Sequence, residues 1–594
     1  MIHAFDDDVL MCGVLAIVFG ADVRWQGDAS PGEPSCSFSE ETEDSILRRA
    51  EWFLKNRGPD GRARETRTPG GGSLLRLTLT SSLLQTRGQA SISNFDISDG
   101  EGNVLLFNGE VYDGLPHLGE GNDGEALLRA LGKCETATEV TSLLSGLRGP
   151  WSIVYWQKRT ETLFYGRDVI GRRSLLGFCG GSAGPPWQRY SVLSSVSLAP
   201  LDAPERERRG WREIPPGIYS ARLGSGPGCV MPERHAWTDP VPAALASTGT
   251  VNAAAEGREA RATEEEVEAA AKELFGLLTE AVRLRCSLVH HTRKEGSGPG
   301  PIRPAPVAIL FSGGLDSAIL AGIAGLVCSP GDPIDLVNVC FVGGGSPDRA
   351  SARSCLLELS GANPSRDFRL IEVDSSLADV DGSRARLLQL LQPAETFMDL
   401  NIGAALAMAA SAKGRLLACR GGELRVVSEV YESAALVILC GHGADEQAGG
   451  YGRHHTKYRA GGWAALAEEI ELDTQRLWRR NLGRDDRCIS DLGREARFPF
   501  LDESVALALR TMPLPVKCDP GRQPGEGDKR VLRVLARRCL PGLENASRRT
   551  KRAIQFGSRI AKLSNKRDFG SNRAANTASA GTVVLPDFKP GKPA

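Results

Sequence analysis

Between residues 12 and 235, short apolar or β-branched runs recur between clusters of turn-forming residues: GVLAIVF, NVLLFNGEVY, WSIVYWQ, TLFYGRD, RYSVLSSV and GIYSARL. Such runs, bounded by Gly, Pro, Asn and Asp, read as strands. With a few helical stretches such as 41–56, they predict a strand-rich α/β layer domain. The pattern breaks at 237–263, WTDPVPAALASTGTVNAAAEGREARAT, whose Ala, Pro and Gly content predicts a linker. A helix of apolar periodicity follows, EEEVEAAAKELFGLLTEAVRLRCSL, and then RKEGSGPGPIRPAP, an exposed insertion by composition. From 306 the repeat becomes strand, loop, helix: VAILF before DSAILAGIAGLV, IDLVNVCFV before SARSCLLELSG, then FRLIEV and ALVILC. Strands alternating with helices imply a parallel sheet covered on both faces. After about 456 the pattern is helical, and the polar C-terminal stretch is expected to be disordered. The expected units are therefore 12–235, a linker helix with loop insertions over 236–305, a parallel-sheet α/β domain over 306–563, and a tail over 564–594.

Composition narrows the partners. A chain of 594 residues suits two to four domains, at a prior of roughly 150 residues each. Its 72 Lys+Arg against 73 Asp+Glu leave a net charge of −1, so no global charge attracts nucleic acid or an acidic membrane. The 14 cysteines contain no C-x2-C pair, which excludes a zinc framework of that type and a small disulfide scaffold. The acidic FDDDV near the N-terminus lacks the positive charge of a secretory leader. The longest apolar stretch, 307–328, contains Asp316 and a glycine pair. Together these predict a cytoplasmic protein with neither nucleic-acid nor membrane partners. They set no oligomeric state.

The most informative line is VAILFSGGLDSAILAGIA. A strand ends at Phe311, Ser312-Gly313-Gly314 turns, and a helix begins near Asp316 and Ser317, so backbone N–H groups converge where an anion would sit. The loop lacks the lysine of G-x4-G-K-[ST]; it resembles instead the S-G-G-x-D-S loop of ATP pyrophosphatases, which split ATP to AMP and pyrophosphate. Downstream, LVILCGHGADEQ repeats the logic with Gly441, His442, Gly443, Asp445 and Glu446. Asp316 and Asp445, at the ends of two strands of one sheet, are placed to share a Mg²⁺ that bridges ATP phosphates. Taken alone, Asp445–Glu446 would as readily open a helix, where acids are favoured.

In the first half, MCG at 11–13, NRGPDG (56–61), LLQTRG (83–88), FNGEVY (107–112) and GNDGE (121–125) resemble the class II glutamine amidotransferase domain. Its fold is a four-layer αββα sandwich of the Ntn-hydrolase type. Ahead of an S-G-G-x-D-S domain, this order resembles the asparagine synthetase family. RDVIGRRSLL, IPPGIY, NLGRDDR, REARFPFLD and KRAIQFGSRIAK are closest to its subgroup of asparagine synthetase domain-containing proteins. The resemblance covers about residues 11–563.

The resemblance implies that Cys12, as the first residue, attacks the side-chain amide of glutamine. Its own α-amine, with a reference pKa of about 8, serves as the base. Asn108 and the Gly109 backbone form the oxyanion hole. Arg87 holds the α-carboxylate with its planar fork, and Glu110 and Asp123 hold the α-ammonium. In the second domain, aspartate is activated by ATP as a β-aspartyl adenylate, and ammonia from the first site displaces AMP to give asparagine. The ATP loop comprises Ser312, Gly313, Gly314, Asp316, Ser317, Gly441 and Gly443.

Three positions depart from the pattern. Ten residues precede Met11, so Cys12 carries a free amine only if the working chain starts there. His442 stands where a catalytic glutamate is expected; it serves as a general base or is simply packed. Ala553 stands where a phosphate-binding lysine is expected, with Lys551 and Arg552 displaced. Two other readings stay open: a ligase acting on a different carboxylate, and a non-catalytic protein with eroded sites. The charge-dense GRDDR (483–487) and REARFPFLD (494–502) read as surface or structural ion pairs.

Overall fold

The computed structural model describes residues 11–19, 43–70, 76–84, 86, 97–115, 122–178, 192–203, 205–223, 232–247, 261–287, 289, 302–343, 345–568, 583–585 and 587. The first half contributes β1 Met11–Phe19, β2 Gly61–Arg67, β3 Arg76–Leu83, β4 Val104–Gly109, β5 Trp151–Gln157, β6 Thr162–Arg167, β7 Leu176–Phe178, β8 Val192–Ser194, β9 Trp211–Glu213, β10 Gly217–Arg222 and β11 Glu233–His235. Among the described residues they form two antiparallel sheets, ordered β2-β3-β1-β8-β7-β9 and β11-β10-β6-β5-β4.

β1 shows why the sheets stack. Side chains of a strand alternate between faces. Leu15 and Ile17 pack with Ile46, Leu47, Ala50 and Phe53 of the helix Glu43–Leu54. Val14 and Ala16 instead enter the core that holds Val104–Phe107 of β4 and Ile153 of β5. Helices Asp123–Gly132 and Ala137–Gly146 bring Leu127, Leu131, Val140 and Leu144 to that same core. The layers therefore run helix, sheet, sheet, helix.

The second half carries β12 Val307–Leu310, β13 Ile334–Cys340, β14 Phe368–Asp374, β15 Lys413–Arg420, β16 Glu423–Glu432, β17 Val437–Leu439 and β18 Glu495–Arg497, in the order β16-β15-β14-β13-β12-β17-β18. The five strands β14-β13-β12-β17-β18 are parallel. The wholly parallel sheet expected from sequence needs correcting, because β15 runs antiparallel to β14 and β16 to β15. The signal was local. Gly421 and Gly422, with φ of +64° and +81°, make the two-residue turn that a tight hairpin requires.

Two further expectations change. The helix read as part of a linker, Glu264–Ser287, buries Val267, Ala271, Leu274, Leu278 and Val282 against the helix Leu315–Val327 and the sheet. It is part of the second core. In the tail expected to be disordered, Leu585 is fully buried, its N–H donates to the Glu395 carbonyl, and Phe397 N–H donates to Val583. A buried leucine contributes roughly 1.5–3 kcal/mol, which a polar average over thirty residues conceals. No helix of the described residues is long and apolar enough to cross a membrane.

The halves are joined by buried ion pairs. Arg57 and Arg173 meet Asp486, Arg172 meets Glu503, and Arg487 meets Glu213, all with side chains at most 4% exposed. The runs read as surface or structural ion pairs are structural, and they lie inside.

Candidate active site

Cys12 lies in β1 where the register with β3 shifts between Met11 and Gly13, so the strand is irregular at that residue. Its side chain, the ten residues before Met11, and Arg87 lie outside the described residues. Asn108 and Gly109 end β4. A Cβ on Gly109 would stand 2.1 Å from the Pro150 carbonyl oxygen, so only glycine permits this approach. The Asn108 side chain is buried, and its Nδ2 has no hydrogen-bond partner among the described residues. A buried amide donor is costly to leave unpaired.

Asp123, which opens the helix after its Asn122 cap, accepts from the Val111 N–H at 2.7 Å and so stands beside the end of β4. Thr86, next to Arg87, donates to Glu110 at 3.2 Å. The fold thus gathers Asn108, Gly109, Glu110, Asp123 and the neighbour of Arg87. It also gives Glu110 a partner absent from the sequence reading, because its Oε1 accepts from Arg497 at 2.5 Å.

The second site is a cavity of about 950 Å³ at the ends of β12 and β17. Ser312 and Ser317 line it, and the Ser312 hydroxyl accepts from the Gly314 N–H at 3.2 Å. Gly313 has φ +68°, and a Cβ there would meet the Ser351 backbone at 2.4 Å. Gly314 caps the helix Leu315–Val327, which carries Asp316 in its first turn. Gly441 lets β17's loop close on this turn, since a Cβ would lie 3.1 Å from that of Asp316. Gly443, φ +93°, opens the short helix bearing Asp445 and Glu446.

Asp316 and Asp445 do meet, around an ammonium group. Lys529 Nζ lies 2.8 Å from Asp316 Oδ1 and 2.9 Å from Asp445 Oδ1, and Lys551 Nζ pairs with Asp445 Oδ2. Burial alone would raise the Asp445 carboxyl, but the charges of Lys529 and Lys551 outweigh it and hold it far below the usual range. Burial likewise works against the Lys529 ammonium, and Asp316 and Asp445 reverse the effect, so it stays protonated more firmly than a free lysine. Lys551 thus reaches the acidic pair from two residues ahead of Ala553, and Arg552 lines the same cavity.

Sequence reasoning missed Lys529. Only the structure shows it at φ +52° just before the helix Arg530–Cys539, and its two carboxylates lie far away in the chain. As for a cation site, two carboxylates close enough to share one ammonium nitrogen are close enough to share one Mg²⁺. Among the described residues no group of three or more His, Cys, Asp or Glu could hold a metal. Two carboxylates completed by water or phosphate oxygens are a common way for Mg²⁺ to be held.

His442 lines the cavity, and its Nε2 lies 2.9 Å from Asp485 Oδ2. Asp485 is buried. Burial would raise its carboxyl, but Arg484, donating to Oδ1 at 2.8 Å, and His442 hold it low. In the neutral ring, an ionised carboxylate at Nε2 places the proton on that nitrogen and leaves Nδ1 as the acceptor. Phe498 stacks edge-on at 5.3 Å and fixes the ring plane. Asp348, on the same cavity wall, is pushed up to about 7 by burial, with Arg552 and Lys551 offsetting part of it.

Residues 455–569 match the family model described as Asparagine synthase. The chain is 31% identical to asparagine synthetase domain-containing protein 1 of Mus musculus, over 90% of this chain and 96% of that one. Identity to the Bos taurus protein of the same name is 32%, over 88% and 93% of the two chains. It is also 32% over 26% of this chain and 34% of the putative asparagine synthetase (glutamine-hydrolyzing) 1 of Methanocaldococcus jannaschii.

Proposed function

This chain belongs to the asparagine synthetase domain-containing protein family, and we propose that it is a glutamine-dependent, ATP-consuming amidotransferase that makes asparagine from aspartate. The observation that carries the reading is a cavity lined together by Ser312 and Ser317 of the turn, by Asp316, Asp445 and Lys551, and by the His442–Asp485 pair, with Lys529 bridging the two aspartates behind it. The turn's N–H groups and the two lysines receive ATP's phosphates. Asp316 and Asp445 would hold Mg²⁺, which when bound would neutralise phosphate charge. An aspartate β-carboxylate oxygen bonds to the α-phosphorus, pyrophosphate leaves, and ammonia then adds to the acyl carbon. His442 Nδ1 takes the proton shed by the nitrogen as AMP departs.

In the first half, Asn108 Nδ2 and the Gly109 N–H receive the oxyanion formed when the Cys12 thiolate attacks glutamine. Asp123, Arg87 and Glu110 hold the substrate's charged groups, and Glu110 does so while balanced by Arg497. Removing Cys12 (Cys12→Ala) is expected to abolish glutamine-driven turnover and spare ammonia-driven turnover. Survival of glutamine-driven turnover overturns the nucleophile.

The replacement of an acid by His442 beside the acyl site favours a second reading, with another carboxylic acid as acceptor. Pyrophosphate release measured with aspartate and with a panel of other acids separates the two. Release with none of them returns the chain to a non-catalytic scaffold.

A further inference from the structure

Away from both sites, a cavity of about 290 Å³ lies between the first half and the helices Gly452–Gln475, Glu503–Thr511 and Leu514–Lys517. Ile170, Pro216, Trp237, Leu477 and Trp478 give it apolar and aromatic walls, and Lys517 is part of its lining. Lys517 is only 2% exposed, and among the described residues its Nζ has neither a hydrogen-bond nor an ion-pair partner. Burying an ammonium without a counter-charge is among the costlier arrangements a fold can hold, and buried lysines are otherwise paired.

The surrounding charges do not supply the missing anion. Glu471, facing from Gly452–Gln475, gives both oxygens to Arg510 at 3.1 and 3.0 Å. Arg510 also donates to the Ser247 carbonyl at 2.6 Å, and Arg234 of β11 donates to that of Pro216 at 3.3 Å. Among the described lining residues, Lys517, Arg510 and Arg234 stand against the single acid Glu471. A phosphate would demand several donors at once. One unpaired ammonium among apolar walls matches one negative charge on an apolar body.

We propose that this cavity binds a small organic monocarboxylate, its aliphatic or aromatic body against Trp237 and Trp478 and its carboxylate on Lys517. Nothing in this depends on the amidotransferase reading. Burial, reinforced by Arg510 and opposed by Cys518 and Glu471, pushes the Lys517 ammonium down to about 8. Binding is therefore to fade as the amine loses its proton above that pH.

The test is calorimetric titration of the full chain with phenylacetate, isovalerate and benzoate, each beside its uncharged amide, at about pH 6.5 and about pH 9.5. At least one carboxylate is expected to bind at the lower pH at least about tenfold more tightly than its amide, the worth of one charge-assisted bond, and to weaken at the higher pH. Lys517→Met is expected to remove that preference. The substitution deletes a buried charge, so the variant should fold at least as stably as the parent at neutral pH. Failure of all three carboxylates, equal binding of acid and amide, or binding unchanged in Lys517→Met overturns the proposal. The pH arm on the parent chain decides without any variant.

Discussion

Arg497 and Glu110 stand 387 residues apart in the chain and 2.5 Å apart in the fold. Glu110 follows Asn108 and Gly109 at the end of β4, and Arg497 ends β18 in the second half. Arg497 also donates to Glu495 at 2.8 Å and to the Arg285 carbonyl at 2.8 Å. Both Arg497 and Glu110 are fully buried. One guanidinium therefore balances a carboxylate of the first pocket and the parallel sheet that carries the second.

Breaking this pair removes a buried cation. Arg497→Met takes one partner from Glu110 and one from Glu495, which keeps Arg173 at 2.8 Å, and the expected loss is about 3 kcal/mol, read from the midpoint of chemical denaturation. A variant as stable as the parent would mean that the pair is dispensable.

The two lysines at the Asp316–Asp445 pair should differ. The Lys529 side chain is 2% exposed and bridges two carboxylates, whereas that of Lys551 is 28% exposed and meets one. Lys529→Ala is expected to destabilise by about 3–5 kcal/mol, as removal of a buried partner does. Lys551→Ala should cost less because solvent screens it. If Asp316 and Asp445 share Mg²⁺, adding it should raise the Tm of Lys529→Ala more than that of the parent. Equal shifts would remove the shared ion.

In a pyrophosphate-coupled assay, His442→Gln is expected to lower kcat about 10²–10⁴-fold, the usual worth of a positioned base. Asp485→Asn should lower kcat with little change in KM, because Asp485 touches the imidazole rather than the substrate. A rise in KM with kcat unchanged would assign both residues to binding.

Asp348 makes stability depend on pH. Burial pushes its folded carboxyl up to about 7 from the ordinary aspartate value of 3.8, so between those values the folded chain holds the extra proton. The contribution is complete below the lower value and is lost as pH rises through the higher one. Asp348→Asn should therefore be more stable than the parent above neutral pH, and the difference should shrink on acidification. A Tm difference that does not vary with pH would contradict the burial account.

Much of the scaffold was legible because its causes are local. The alternation of β1, the Ser312–Ser317 turn and the glycine positions follow from which φ and ψ a few adjacent residues can adopt and which faces they must bury. Asn108, Gly109 and Asp123 sit together because β4 and the following helix are near in sequence. The hairpin β15–β16 was equally local, and its Gly-Gly turn was readable there.

Other features had no local cause. Lys529 with Asp316, Asp485 with His442 and Arg497 with Glu110 join residues separated by 43 to 387 positions. The same holds for the helix Glu264–Ser287 in the second core and for Leu585 in a polar tail. A charged residue reads alike whether it is solvated or paired inside, and an apolar triplet reads alike whether or not a groove awaits it. What the chain alone determined was which segments could be strands, turns and anion-binding helix starts, since steric and hydrogen-bonding preferences act over a few residues. Which charges neutralise one another, and that the buried Lys517 meets no partner among the described residues, was decided by tertiary packing, because only burial makes an ionic partner obligatory.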